Sequence, residues 1–364
     1  MRFICDKSYE EDLKLYTEQV LKKSGLSQAA ERETMSMADN PDAHSGKSRN
    51  GCGNVVAEKL YGDLVFYKKI IRQYPYRDAF DLYLRSARIK IDEEGKWTCN
   101  GDGYPLAFWS LGYYLFNYRS GIFLQKCEKI EAIEKMSLNE RLAMALALSA
   151  ACMEYINSAG AMNLIGRIML EASQSQEVYD ALSLVIKEDI EDRFFAGISL
   201  KTPVCNTPED CVTISNEFFA AAAREGYVYA CNNMAAGEAE RIVKCAKAGE
   251  KVEDEMIDRY IGFLRRSADK YEPYAANRLG LFYLTGEIKS GEDKYVSREY
   301  VDFTRAKEYL KKATLYPDSN SAWAFFNLIK YFPKDYEADL ELLNEHMDYI
   351  KRLNKEVYNI AIEL

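Results

Sequence analysis

The sequence predicts an all-α fold, an α/α superhelix (solenoid) of about five to six helical hairpins with one small β-hairpin inserted, and three observations point there. First, an alanine is followed five positions on by glycine, or by a residue standing in for it, in six windows: Ala57 and Gly62, Ala107 and Gly112, Ala161 and Gly166, Ala230 and Ala235, Ala275 and Gly280, Ala322 and Asn327. Second, another frame fits five times, with a small residue, two large residues at the third and fourth positions after it, and a small residue eight after it. Its members are Ala79, Leu82, Tyr83 and Ala87; Ala143, Leu146, Ala147 and Ala151; Ser215, Phe218, Phe219 and Ala223; Tyr260, Phe263, Leu264 and Ala268; Ala306, Tyr309, Leu310 and Thr314. Third, the two frames alternate along the chain, as the two antiparallel helices of a repeated hairpin require.

Residues 1–53 are expected to form an N-terminal helical segment and a flexible polar linker, with a helix over residues 10–24, another over 27–38, and a Gly-, Ser- and Asn-rich stretch after them. Residues 54–332 hold the repeat array. A glycine inside a helix costs roughly 1 kcal/mol relative to alanine, so the recurrence of four at one register predicts helices in near backbone contact there. In the second frame, intervals of three, four and eight set the side chains on one helical stripe, the expected core between hairpins. Ile89, Ile91, Trp97 and Cys99 alternate around Glu93-Glu94-Gly95, which predicts a short β-hairpin between the first and second units. The interval from Gly166 to Ala235 is longer than that from Ala235 to Gly280 and leaves room for an inserted element. There, residues 177–195 read as an amphipathic helix carrying Val178, Leu182, Val185, Ile186 and Ile190, and residues 201–211 as a loop. Residues 333–364 read as a single C-terminal capping helix, with Tyr336, Leu340, Leu343, Met347, Ile350, Leu353, Val357 and Ile360 at steps of three and four. The alternative use of that stripe is a coiled-coil contact.

The stretch Leu279-Gly280-Leu281-Phe282-Tyr283-Leu284-Thr285-Gly286, followed by Arg305-Ala306 and Lys312-Ala313, resembles the Sel-one-like repeat, a tetratricopeptide-like helical-hairpin family. The resemblance extends to the units starting at Ala57, Ala107 and Ala161 and weakens at Ala230, where Ala235 replaces the glycine. It implies a scaffold or adaptor that binds a protein or peptide partner and performs no catalysis.

Composition bounds the remaining possibilities. The chain has 364 residues, 48% hydrophobic and 29% charged, and no apolar run of membrane-spanning length, so a water-soluble, cytoplasmic protein is expected. A net charge of −9 argues against nucleic acid and anionic lipid as partners. The nine cysteines follow no metal spacing, and free thiols are the expectation; a Cys205–Cys211 pairing is the alternative. Only two histidines exist. His44 falls in the polar linker and His346 beside Glu345, where a solvated surface position is expected. Gly46-Lys47-Ser48 ends like a phosphate-binding loop, but Pro41 stands where the first glycine belongs. The acidic residues Glu188, Asp189, Glu191 and Asp192 point around a helix rather than toward one ion. No metal or cofactor is therefore expected. Lys22-Lys23-Ser24-Gly25 faintly resembles the opening of a helix-turn-helix. That leaves an alternative function, a signalling or transcription-linked regulator with a degenerate N-terminal DNA-binding segment.

The candidate binding groove is drawn from the first-frame helices. Asn163, Asn232 and Asn277 each stand three residues before the glycine-equivalent position, a register that resembles the one whose asparagines, in tetratricopeptide-like hairpins, hold an extended peptide through its backbone. An amide offers both a donor and an acceptor, so a ladder of them can grip main chain. The competing reading is that each bonds a neighbouring carbonyl or helix end. Trp109 takes the equivalent place in the second unit, with Tyr113 one turn later, and Tyr229 and Tyr274 precede Asn232 and Asn277 by three residues. These aromatics are candidate partner anchors or, alternatively, repeat core.

Overall fold

A computed structural model of the chain describes residues 55–66, 73–93, 95–99, 103–118, 129–155, 158–187, 206–315, 320–337 and 339–363. The expected helices of residues 1–53, His44, the Gly46-Lys47-Ser48 tripeptide and the acidic residues from Glu188 to Asp192 lie outside these. The fold is all-α in antiparallel helical hairpins, with two small β-hairpins among the described residues. The chain forms two compact units, Met1–Phe218 and Phe219–Leu364, each described by itself.

In unit 1, α1 (Val55–Phe66) pairs with α2 (Pro75–Ser86), and α3 (Pro105–Asn117) pairs with α5 (Leu138–Tyr155) after a short α4 (Glu131–Glu134). Then come α6 (Ala159–Gln174), α7 (Gln176–Lys187) and α8 (Pro208–Arg224), within which the unit boundary falls. In unit 2, α9 (Val228–Lys247) pairs with α10 (Asp254–Ala268), α11 (Pro273–Thr285) with α12 (Phe303–Thr314), and α13 (Ser321–Tyr331) with α15 (Leu340–Leu353). The short α14 (Lys334–Glu337) and α16 (Lys355–Ala361) complete it.

Local chemistry sets the boundaries. Pro75, Pro105 and Pro273 open their helices, where the missing N–H would be unsatisfied anyway. Ser158 and Asp302 cap α6 and α12 through their side-chain oxygens. Gly286 ends α11 at φ 72, the left-handed region that favours glycine.

The recurring glycines sit where paired helices touch. A Cβ on Gly62 would lie 2.6 Å from the Tyr83 ring, one on Gly112 would lie 3.0 Å from the Ala145 carbonyl oxygen, and one on Gly280 would lie 2.7 Å from Leu310 Cγ. Ser215 Oγ donates to the Gly166 carbonyl at 2.8 Å, joining α8 to α6. A second recurring tie runs from the far end of the partner helix: Ser86 Oγ donates to the Val55 carbonyl and Ser267 Oγ to the Val228 carbonyl. The second-frame stripe is core, with Ala79, Tyr83, Leu146, Ser215, Tyr260, Leu264, Ala306 and Leu310 all buried.

The predicted β-hairpin is present as β1 (Ile89–Ile91) and β2 (Trp97–Cys99), antiparallel, with Ile91 opposite Trp97 and Gly95 at φ 85 in the connection. Trp97 is fully buried against Phe80. A second hairpin, β3 (Glu287–Ser290) and β4 (Asp293–Val296), was not anticipated; it interrupts the α11 to α12 connection and packs on α9.

Three sequence expectations change. The inserted amphipathic helix is α7, which starts one residue earlier than expected; residues 188–200 lie outside the described set. The expected loop over residues 201–211 is helical from Pro208, because Thr207 Oγ1 accepts from Asp210 N while Asp210 Oδ2 accepts from Thr207 N, a reciprocal cap. The single C-terminal helix is three: Asp339 caps α15, and Asn354 leaves helical geometry at φ −154 to cap α16 through Oδ1.

Candidate functional site

The candidate asparagines divide between the units. In unit 1, Asn163 lies on α6 and is buried, at 6% exposure. Trp109 and Tyr113, on α3, are half-buried. The Trp109 indole packs so closely on Gly160 that a Cβ there would come within 2.9 Å, and the Lys59 ammonium sits 5.9 Å from its ring centroid. Tyr113 meets Phe66 edge-on, and burial raises its hydroxyl pKa.

In unit 2, Asn232 on α9 donates through Nδ2 to Glu272 Oε2 at 3.0 Å. Glu272 is itself the cap of α11, accepting from Tyr274 N and Ala275 N, so the asparagine braces the entry of the next hairpin. Asn232 Oδ1 is buried and has no partner among the described residues. Asn277 on α11 accepts through Oδ1 from Asn327 Nδ2 at 3.1 Å. Asn327 occupies the glycine-equivalent place of the last window, and this bond gives a reason for an amide there. The two asparagines therefore use opposite halves of their amides. The acceptor of Asn232 and the donor of Asn277 are left unspent among the described residues.

Beside them, Tyr229 is 55% exposed and Tyr274 is 39% exposed. Tyr229 stands edge-on to Tyr227. Ala236 and Gly237, next along α9, are exposed, and a Cβ on Gly237 would meet nothing within 4 Å. Trp323 on α13, 41% exposed, is a further aromatic that the repeat register did not single out.

Cys152, Cys211 and Cys231 are buried, and Cys99 and Cys245 are half-buried. Burial pushes Cys152 up to about 12 and raises Cys231, so both stay protonated at neutral pH. Among the described residues no three His, Cys, Asp or Glu side chains gather as metal ligands, and no helix is long and apolar enough to cross a membrane. His346, expected at the surface, is half-buried. Its Nδ1 lies 2.9 Å from the Tyr336 hydroxyl, and its ring packs edge-on to Phe325.

The hairpins and the amide-bearing first helices define the class, an all-α helical-hairpin repeat protein. No family model and no curated protein matches the chain. Among solved structures it is similar to a Sel1 repeat protein from Oxalobacter formigenes, with 16% identity, 96% of this chain and 99% of that one covered, and a TM-score of 0.44. It is also similar to c5321, a protective antigen present in uropathogenic Escherichia coli strains displaying an SLR fold, with 14% identity, 98% and 87% covered, and a TM-score of 0.20. Likeness at these values does not establish a family, and the fold stands on the hairpins themselves.

Proposed function

We propose that the chain is a non-catalytic protein-interaction scaffold that binds an extended peptide segment of a partner along the first helices of its hairpins. The supporting observation is the unspent amide pair of unit 2, an acceptor on Asn232 and a donor on Asn277 in successive hairpins beside exposed Tyr229 and Tyr274. A peptide backbone presents the matching N–H and C=O groups. A buried acceptor without a partner costs about 1–3 kcal/mol, which a bound donor would relieve once the Asn232 side chain turns toward the peptide. The tyrosines supply anchoring area at low entropic cost, and bare Gly237 leaves room for a close main chain. Trp109 and Tyr113 are the corresponding aromatic positions of unit 1, where Asn163 is buried.

The test is a peptide-display selection on the full chain, followed by titration of the selected peptides against Tyr229→Ala, Tyr274→Ala and Asn277→Ala. Each variant is expected to weaken binding by about tenfold or more while leaving the unfolding transition in place. Peptides that bind all three variants as tightly as the parent would sink the proposal.

A further inference from the structure

A cavity of about 230 Å³ is wedged between α10, the end of α11 and the start of α12. Along α10 it is lined by Asp258, Ile261, Gly262 and Arg265, whose spacing makes one helical stripe. Tyr283 of α11, Tyr300 of the 3-10 turn Arg298–Tyr300 and Arg305 of α12 close it.

The cavity is electrically two-ended. Burial first, and then the nearby Asp258, Asp254 and Glu299 carboxylates, raise the pKa of the Tyr300 hydroxyl, and Asp258 in the lining marks an acidic end. Arg265 is within hydrogen-bonding reach of the Tyr283 and Tyr309 hydroxyls, and the Arg305 guanidinium lies 5.6 Å from the Tyr283 ring centroid, which marks a basic end. Arg305 also meets Asp302 through Nε at 3.4 Å. Seven residues of helix separate Asp258 from Arg265, a rise of roughly 10 Å.

Gly262 adds an independent observation. It lies inside α10, where glycine is destabilising relative to alanine, yet a Cβ on it would meet nothing within 4 Å. Unlike Gly280, it answers no packing demand among the described residues, and its effect is to leave helix backbone bare in the cavity.

We propose that this cavity binds a small zwitterion of dipeptide size, with its carboxylate between Arg265 and Arg305, its ammonium at Asp258 and its main chain against Gly262. The volume falls below the roughly 300–1,000 Å³ of drug-sized pockets and suits such a ligand. Asp258 disfavours a plain dianion, and as the one carboxylate among the lining residues it is too few for a divalent cation. The site shares no residue with the peptide surface proposed above, so either can fail without the other.

Calorimetric titration of the full chain with alanylalanine is the test, alongside its N-acetylated form, its C-amidated form and inorganic phosphate. Saturable one-site binding of the free dipeptide is expected, weakened about tenfold or more by blocking either end. Arg305→Gln should weaken it similarly. Gly262→Ala should weaken it while raising the thermal midpoint, which separates lost binding from lost folding. The proposal is overturned by absence of saturable binding, by equal binding of the blocked forms, by phosphate binding as tightly, or by parent-like binding in both variants.

Discussion

Replacing Gly280 with alanine adds one methyl group at the tightest point of the α11–α12 hairpin. Its Cβ would stand 2.7 Å from Leu310 Cγ, 2.8 Å from Leu310 Cδ2 and 3.1 Å from the Leu310 backbone nitrogen. Leu310 is fully buried, so its side chain has no free space to swing into and the two helices must part by several tenths of an ångström. Overpacking of this kind costs about 1–3 kcal/mol, whereas the better helix propensity of alanine returns roughly 1 kcal/mol. The expected net is a destabilisation of up to about 2 kcal/mol. Gly237→Ala is the matched control, because it gains the same propensity in a helix with open space around it and should stabilise by about 0.5–1 kcal/mol. Urea unfolding followed by far-ultraviolet circular dichroism measures both. A Gly280→Ala protein at least as stable as the parent, or a Gly237→Ala protein that loses as much, would refute the account of the glycine register.

Two further outcomes follow from buried charge. Glu58 is completely buried between Arg85 and Arg88, at 3.1 and 3.4 Å, so Glu58→Ala should destabilise unit 1 by about 2–3 kcal/mol, less than a fully buried pair because Arg85 is half exposed; thermal denaturation decides it. Burial lowers the pKa of His346 below its ordinary 6.5, so the unfolded chain takes up that proton first. The contribution is complete above that value and declines as pH falls through it, and a urea midpoint that drops from about pH 7.5 to about pH 5.5 should drop less in His346→Gln.

The hairpin architecture was legible because its signal is steric and local: Gly62, Gly112 and Gly280 each carry an intrinsic helix penalty that only a close neighbour explains. The first β-hairpin was legible for a similar reason, since Ile89, Ile91 and Trp97 alternate around a glycine that adopts positive φ. The second hairpin offered a weaker version of the same signal. Ile288 faces Tyr295 across the register and Gly291 sits in the turn at φ 59, but charged residues fill most other places and only Ile288 is buried. Apolar periodicity carried the C-terminal reading across Asn354, because a stripe at steps of three and four does not register that one side chain has turned to cap the next helix. At the candidate site the asparagine positions could be read, but their partners could not. Glu272 lies 40 positions from Asn232, and Asn327 lies 50 from Asn277, separations that no local pattern spans.

The β3–β4 hairpin alters how unit 2 comes apart. In a repeat array each hairpin touches its neighbours, and melting can creep inward from an end where those contacts are weak. Here a segment inserted between α11 and α12 reaches back onto α9, held there by the Lys247–Asp293 ion pair across 46 positions, while Arg278 of α11 donates to the Lys289 carbonyl. Four helices are thereby laced through one fold-back, so the α9–α12 segment should protect its amides from exchange as a block and not turn by turn.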